Sequence, residues 1–146
     1  MPVVPNIFID TNVLLYSVDP ADSWKQQRAW QWLKVLWQQR RGRLSWQVLH
    51  EFYANAIRKL EVSRSEARKI VRGYAEWRPV ETNLGLIQRA WHWMDMAQLA
   101  YWDGLIVAAA EQAGCRWLLS EDFEGGRRFG MVAVVDPFAQ VPEDLP

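Results

Sequence analysis

The sequence predicts an α/β fold of three layers, α/β/α, in which helices cover both faces of a central, mostly parallel sheet. Three short apolar runs carry this prediction, because residues 7–9, 115–119 and 132–135 are typical of strands buried on both faces. The segments before the second and third runs contain helical patterns, and parallel strands need long crossovers of that kind. The predicted order is therefore strand, several helices, strand, helix, strand.

Length and composition favour one domain over residues 1–146, with little order from about residue 140 onwards. The 17 basic and 17 acidic residues cancel, so nucleic acid or an anionic membrane would have to bind local patches. Cys115 is the single cysteine, which excludes an intramolecular disulfide, and the two histidines give no spacing typical of a zinc site.

The N-terminal residues 1–5 lack the charged and apolar regions of a signal peptide. No segment of the chain has the length and hydrophobicity that are needed to span a bilayer. We therefore expect a soluble protein of the reducing cytoplasm that does not bind membranes.

The first strand ends in a polar triplet formed by Asp10, Thr11 and Asn12. In open α/β sheets, ligands bind beyond the carboxyl ends of the strands, so Asp10 occupies a position typical of function. The alternative is structural, because an aspartate here could also cap a helix that begins near Val13 or close a turn.

The predicted helix over residues 24–40 is apolar over more of its circumference than a surface helix should be. Its predicted core face contains Ala29, Trp30, Leu33, Leu36 and Trp37. A second apolar side contains Trp24, Trp32 and Val35, which we interpret as partner-binding residues. The alternative is a loosely shielded monomer surface.

Two further helices follow, over residues 46–60 and from a capping box at Ser63 to about Trp77. Glu51 lies near the core edge of the first helix. The second helix has a basic stripe that could bind a phosphate backbone or simply face solvent, formed by Arg64, Arg68 and Arg72.

A helix from Asn83 to about Gln98 precedes a fully apolar helix that begins at Tyr101. Asp103 lies in the first turn of that apolar helix, where the helix dipole stabilises a negative charge. The following strand ends before Ser120, Glu121 and Asp122, and a basic loop then contains Arg127 and Arg128.

Four carboxylates can meet at one edge of this predicted sheet. Asp10 and Asp122 follow neighbouring strands, while Glu51 and Asp103 lie on helices that could reach the same edge. Carboxylates without matching cations raise one another's pKa, so a bound hard cation, Mg²⁺ or Mn²⁺, would explain their convergence.

These motifs resemble the PIN-domain nucleases and, among them, the VapC-type toxins of bacterial and archaeal toxin–antitoxin pairs. The resemblance covers nearly the whole chain and rests on Ile9-Asp10-Thr11-Asn12, Glu51, Tyr101-Trp102-Asp103, Leu119-Ser120-Glu121-Asp122-Phe123 and Val134-Val135-Asp136-Pro137-Phe138. The chain departs from the family at Asp136, where relatives often have Asn. It also departs at Gly104, where a small residue such as Ala is usual, and we expect this glycine only to loosen a helical turn.

The resemblance implies an endoribonuclease that cleaves RNA phosphodiester bonds with Mg²⁺ or Mn²⁺. The implied catalytic residues are Asp10, Glu51, Asp103 and Asp122, of which Asp10, Asp103 and Asp122 bind metal, with Thr11, Asn12 and Ser120 in support. RNA would contact Arg127 and Arg128 or the basic stripe.

For such a toxin, we expect the over-apolar helix of residues 24–40 to bind a small antitoxin protein or a second copy of the chain. Since this chain shows no obvious DNA-reading motif, we expect any DNA binding to come from the antitoxin.

Two other functions compete with this interpretation. A phosphatase of the haloacid-dehalogenase type also begins with a strand that ends in Asp, but its chemistry needs D-x-D, and this chain has Asn12 at the second position. A PIN-like module without catalytic activity would bind only RNA or protein. The presence of all four acids argues against such a module.

Overall fold

The computed structural model describes residues 4–146. Residues 1–3 lie outside the described residues. They belong to the N-terminal segment for which the sequence predicts no signal peptide. The strands are β1 (Asn6–Ile9), β2 (Gly42–Arg43), β3 (Cys115–Leu119), β4 (Arg128–Phe129) and β5 (Val132–Val135).

The five strands form one sheet in the order β2-β1-β3-β5-β4. The pairs β1–β2, β1–β3 and β3–β5 are parallel, and only the short β4 runs antiparallel, beside β5. This arrangement confirms the predicted three-layer α/β/α fold with a mostly parallel sheet. It also places the carboxyl ends of β1 and β3 side by side.

The helices follow the predicted order, with boundaries that differ by a few residues. They are α1 (Thr11–Ser17), α2 (Ser23–Gln39), α3 (Trp46–Leu60), α4 (Arg64–Tyr74), α5 (Leu84–Ala97) and α6 (Tyr101–Gln112), with 3-10 turns at Ala75–Trp77 and Pro142–Asp144. Capping side chains fix the starts of three helices. Ser45, Ser63 and Asn83 accept hydrogen bonds from the third amide of α3, α4 and α5 respectively.

The core lies around β1 and α6. The strand residues Ile7, Phe8 and Ile9 are fully buried, and every residue of α6 from Gly104 to Ala110 is buried as well. Burial on both faces is the environment that the apolar run of β1 predicts.

Gly104 has a packing role, so the expectation that it only loosens a helical turn is wrong. A Cβ atom at this position would lie 2.8 Å from the backbone oxygen of Ala90 in α5. Helices α5 and α6 therefore approach too closely for a larger residue, and the glycine allows their contact. Because α6 carries Asp103, this contact also helps to place the candidate site.

The buried face of α2 differs from the predicted one at Trp32. This residue is 0 % exposed, and its indole Nε1 donates hydrogen bonds to the carbonyl oxygens of Pro137 (3.0 Å) and Gln140 (3.2 Å). Trp30, which the sequence places on the core face, is instead about half exposed. The segment after β5 covers the Trp32 side of α2, so Trp32 belongs to the core and is not a partner-binding surface.

The C-terminal segment, for which the sequence predicts little order, contains the turn at Pro142–Asp144 and packs on α2. The Arg41 guanidinium also donates a hydrogen bond to the carbonyl oxygen of Pro146 (3.0 Å). Over residues 4–146, no helix is long and apolar enough to cross a membrane.

Candidate active site

Asp10 lies directly after β1 and is only 5 % exposed. Its Oδ1 accepts a hydrogen bond of 2.7 Å from the Thr11 amide, which makes it the N-cap of α1. Asp10 therefore does cap a helix, as the structural alternative predicts, although α1 begins at Thr11 and not near Val13. One carboxylate oxygen is used by the cap, and Oδ2 points to other partners.

Ser120 connects the ends of β1 and β3. Its hydroxyl donates a hydrogen bond of 2.7 Å to Asp10 Oδ2. Ser120 Oγ also accepts hydrogen bonds from Asn12 Nδ2 at 3.2 Å and from the Asp122 amide at 3.0 Å. The amide of Glu121 in turn donates to Asn12 Oδ1 (3.3 Å). These bonds fix the two polar segments against each other, so that the carboxyl ends of β1 and β3 form one rigid edge.

Glu51 is brought to this edge by α3. Its Oε1 accepts hydrogen bonds from Thr11 Oγ1 at 3.1 Å and from Gln47 Nε2 at 3.3 Å. Thr11 therefore lies between Asp10 and Glu51, with its amide bound to the first and its hydroxyl to the second. Gln47 precedes Glu51 by four residues, one helical turn earlier on the same side of α3.

The carboxyl groups influence one another's ionisation. Burial raises the pKa of Asp10 to about 7, and the negative charges of Asp122 and Glu51 add to the increase. Hydrogen bonds from Ser120 and the Thr11 amide oppose it by stabilising the charged form. Partial burial also raises the pKa of Asp103, and the charge of Asp122 contributes.

No basic side chain forms an ion pair with these four acids within residues 4–146. The ion pairs found there join Lys25 to Glu121 and Arg89 to Glu111. A buried carboxylate usually requires a positively charged partner, so this edge has excess negative charge.

The carboxylate oxygens are the type of donor that a hard divalent cation prefers, although they do not form a closed cage. Across the described residues, no group of three among His, Cys, Asp and Glu is arranged to hold a metal ion alone. Mg²⁺, however, usually keeps several waters and uses one or two carboxylates together with phosphate oxygens. The carboxylates at the β1–β3 edge suit a metal site that water and substrate complete.

The sequence spacing places Asn55 beside Glu51 on one flank of α3, and this is confirmed, because Asn55 Nδ2 donates to the Glu51 carbonyl oxygen at 2.8 Å. Sequence reasoning missed Gln47, which lies one turn before Glu51, and Arg58 and Lys59, which occupy the last turn of the same helix. The four-residue spacing from Glu51 was the available signal for Gln47, because it places both on one flank.

The predicted RNA-binding arginines differ in their local contacts. Arg127 donates a hydrogen bond of 2.7 Å to the Ala97 carbonyl oxygen and packs over the ring of Phe129. Arg128 is exposed in β4. The basic stripe of α4, formed by Arg64, Arg68 and Arg72, is also exposed, and Arg68 donates to the Tyr53 hydroxyl.

The remaining residues singled out from the sequence have clear positions. Asp136 Oδ1 accepts a hydrogen bond from the Phe138 amide at 2.8 Å, so this acid shapes the turn after β5. On α2, Trp24 is about half exposed and Val35 is half-buried.

A family model described as the PIN domain matches residues 7–127. The match contains β1, α3, α6 and β3 and therefore all four candidate acids. A search of curated proteins finds no match. PIN domains are generally metal-dependent nucleases and typically bind divalent ions such as Mg²⁺. With a nuclease-type fold and more than half of its length matched, this chain belongs to the PIN domain family.

Proposed function

We propose that this chain is an endoribonuclease that needs Mg²⁺ or Mn²⁺ and cleaves RNA phosphodiester bonds at the β1–β3 edge. The observation that carries the proposal is Asp10, a buried carboxylate whose pKa is raised further by the charges of Glu51 and Asp122 and which has no basic ion-pair partner among residues 4–146. A divalent cation bound at this edge would offset the excess negative charge.

The residues have separate roles in this proposal. Asp10 and Asp103 hold the cation, and Asp122 holds it directly or through water. Glu51 is a further ligand or orients the attacking water. When bound, the metal makes a water more acidic and offsets the charge of the scissile phosphate. Ser120 and the Thr11 amide fix the Asp10 carboxylate and favour its ionised form.

Three features support this role over that of a binding module. All four acids are present, they have no ion-pair partner among the described residues, and Ser120 and Thr11 orient two of them. A module that only binds RNA would be more stable without a buried uncompensated carboxylate.

We propose further that the chain is the toxin of a type II toxin–antitoxin pair in the cytoplasm and forms a homodimer. The resemblance to VapC-type toxins supports this role. The exposed side of α2 that contains Trp24 would contact the antitoxin, and any DNA binding would come from the antitoxin. Trp24→Glu should weaken the complex with a co-expressed antitoxin, and light scattering should give twice the chain mass of 17.1 kDa.

The experiment that tests the nuclease is cleavage of single-stranded RNA by the purified chain with Mg²⁺ or Mn²⁺. We expect cleavage that stops with a chelator and returns when excess metal is added. Asp10→Asn should lower the rate by at least about 100-fold, since it removes a charged ligand. Asp95→Asn is the matched control, because Asp95 is an exposed acid on α5. Equal activity of wild type and Asp10→Asn would contradict the proposal.

A further inference from the structure

A cavity of about 1030 Å³ lies beside the candidate site, between α3 and the start of α6. Glu51 forms part of its wall, so the cavity is continuous with the proposed site. Three aromatic residues, Trp46, Tyr101 and Trp102, also line it. Its size is at the upper end of the range for clefts that bind small ligands, so it has room for at least one nucleotide.

Trp102 is the most exposed of these aromatic residues that line the cavity, at 63 %. Its backbone is fixed nonetheless, because Gln47 Nε2 donates hydrogen bonds to the Trp102 carbonyl oxygen (3.2 Å) and to Glu51 Oε1 (3.3 Å). The neighbouring Tyr101 ring lies 5.4 Å from the Trp102 ring at 60°. A large apolar ring thus lines the cavity with an accessible surface, directly before Asp103 in the chain.

One cation on the cavity wall can contact a phosphate of an RNA backbone. Arg58 lies on the α3 wall, and its guanidinium donates to Asn55 Oδ1 at 3.1 Å without an ion-pair partner among residues 4–146. His50 lies on the same wall. The acids that line the cavity are Glu51, which belongs to the proposed site, and Glu81.

A second, smaller cavity of about 240 Å³ shares Asn55 with the first cavity, which we call the aromatic cavity. Asp122 and Lys59 line this second cavity. An RNA strand that leaves the aromatic cavity at Asn55 would enter the second cavity, so that the two cavities together would bring it past Glu51 and Asp122.

We propose that the aromatic cavity binds an unpaired base of the RNA substrate, stacked on Trp102, next to the bond that is cleaved. This inference rests on the proposed nuclease function and adds to it a site that binds one base of the substrate. Bases stack on aromatic side chains with little sequence preference, and only unpaired bases can enter such a cavity. Trp102 would thus position the substrate and not take part in the chemistry.

The test measures equilibrium binding, so that it does not depend on cleavage. Fluorescence anisotropy gives the Kd of a labelled RNA stem-loop for Asp10→Asn, which leaves the RNA intact. A short loop is the unpaired part of this RNA, so that it binds in one register, and a set of copies each lacks one loop base. We expect one abasic position to raise Kd by about 5- to 150-fold, the range for loss of one stacked base.

Variants of Trp102 then test whether the base contacts this residue. In the Asp10→Asn background, Trp102→Ala should raise Kd for intact RNA by a similar factor. Removal of the base that matters in Asp10→Asn should then cause no further increase in Kd. Trp102→Phe should largely restore binding. Trp91→Ala, which removes a 50 % exposed tryptophan of α5, is the matched control and should keep the full abasic effect.

The outcomes separate this inference from the proposed function. An abasic effect that persists in Trp102→Ala, or that appears at no position, would overturn the stacking site even if the wild type cleaves RNA. The expected binding pattern without any metal-dependent cleavage would leave the base site standing and overturn the nuclease. A change of oligomer mass in Trp102→Ala, with Kd for RNA unchanged, would make the cavity a protein interface.

Discussion

At the scale of single residues, Asp10 links stability to pH. Its pKa is about 7 in the fold and 3.8 in an unfolded chain, so between about pH 4 and pH 7 the folded state keeps a proton that the unfolded state has lost. The free energy of unfolding of the metal-free protein should therefore fall as pH rises through this range and stay low above pH 7.

Urea denaturation in the presence of a chelator, at pH 5 and pH 8, measures this effect. Asp10→Asn has no charge to bury, so its stability relative to the wild type should be higher at pH 8 than at pH 5. Added Mg²⁺ should stabilise the wild type at pH 8 and have little effect on the variant. A stability difference independent of pH would mean that Asp10 ionises normally.

Ser120 provides a second prediction at this scale. Ser120→Ala removes the hydroxyl that favours ionised Asp10, so the rise of nuclease activity with pH should shift to higher pH. The lost hydrogen bonds should also destabilise the fold by about 1–3 kcal/mol. Ser17→Ala is the control, because Ser17 is buried and donates to the Leu14 carbonyl oxygen away from the site. It should lose stability and keep the pH profile.

The individual acids of the site were visible in the sequence, whereas their connections were not. Asp10 and Asp122 follow apolar strands, and strand ends are recognisable locally. The bonds from Ser120 to Asp10 and from Thr11 to Glu51 join residues 110 and 40 positions apart. Such contacts depend on how strands and helices pack, so sequence patterns could name the participants and not the partners.

At the scale of helices and strands, the close contact of α5 and α6 depends on Gly104. Gly104→Ala places a Cβ atom against the Ala90 backbone oxygen, and we expect a loss of about 1–3 kcal/mol by thermal or urea denaturation. Gly73→Ala in α4 is the matched control, since no atom lies within 4 Å of its Cβ position. It should gain up to about 1 kcal/mol. Equal effects of the two variants would contradict the packing role.

The α2 helix shows why periodicity alone misplaced a residue. Ala29, Leu33 and Leu36 were correctly assigned to the core, but the buried face turns toward Trp32 and away from Trp30. A helical pattern with large apolar residues on several sides has no unique core face. The segment around Pro137 and Gln140 determines which face of α2 is buried, because it supplies acceptors for the Trp32 indole.

At the scale of the whole molecule, the order of strands and helices was enough to predict the fold. Three short apolar runs predicted β1, β3 and β5, and the crossover rule predicted that they are parallel. The edge strands β2 and β4 have two residues each, which is too short for any sequence period, and they form because a neighbour offers free backbone groups. The net charge of the chain is zero, but its charges are unevenly distributed. Among residues 4–146, the four acids of the candidate site have no basic ion-pair partner, and two cations lie in the last turn of α3.

The central claim is that a divalent cation binds at the edge where β1 and β3 end. Titration calorimetry of Mn²⁺ into the wild type, Asp10→Asn and the control Asp95→Asn at pH 8 tests it most directly. We predict saturable binding to the wild type and to Asp95→Asn, and affinity at least about 10-fold weaker in Asp10→Asn. Equal Mn²⁺ affinity in all three proteins would contradict the claim.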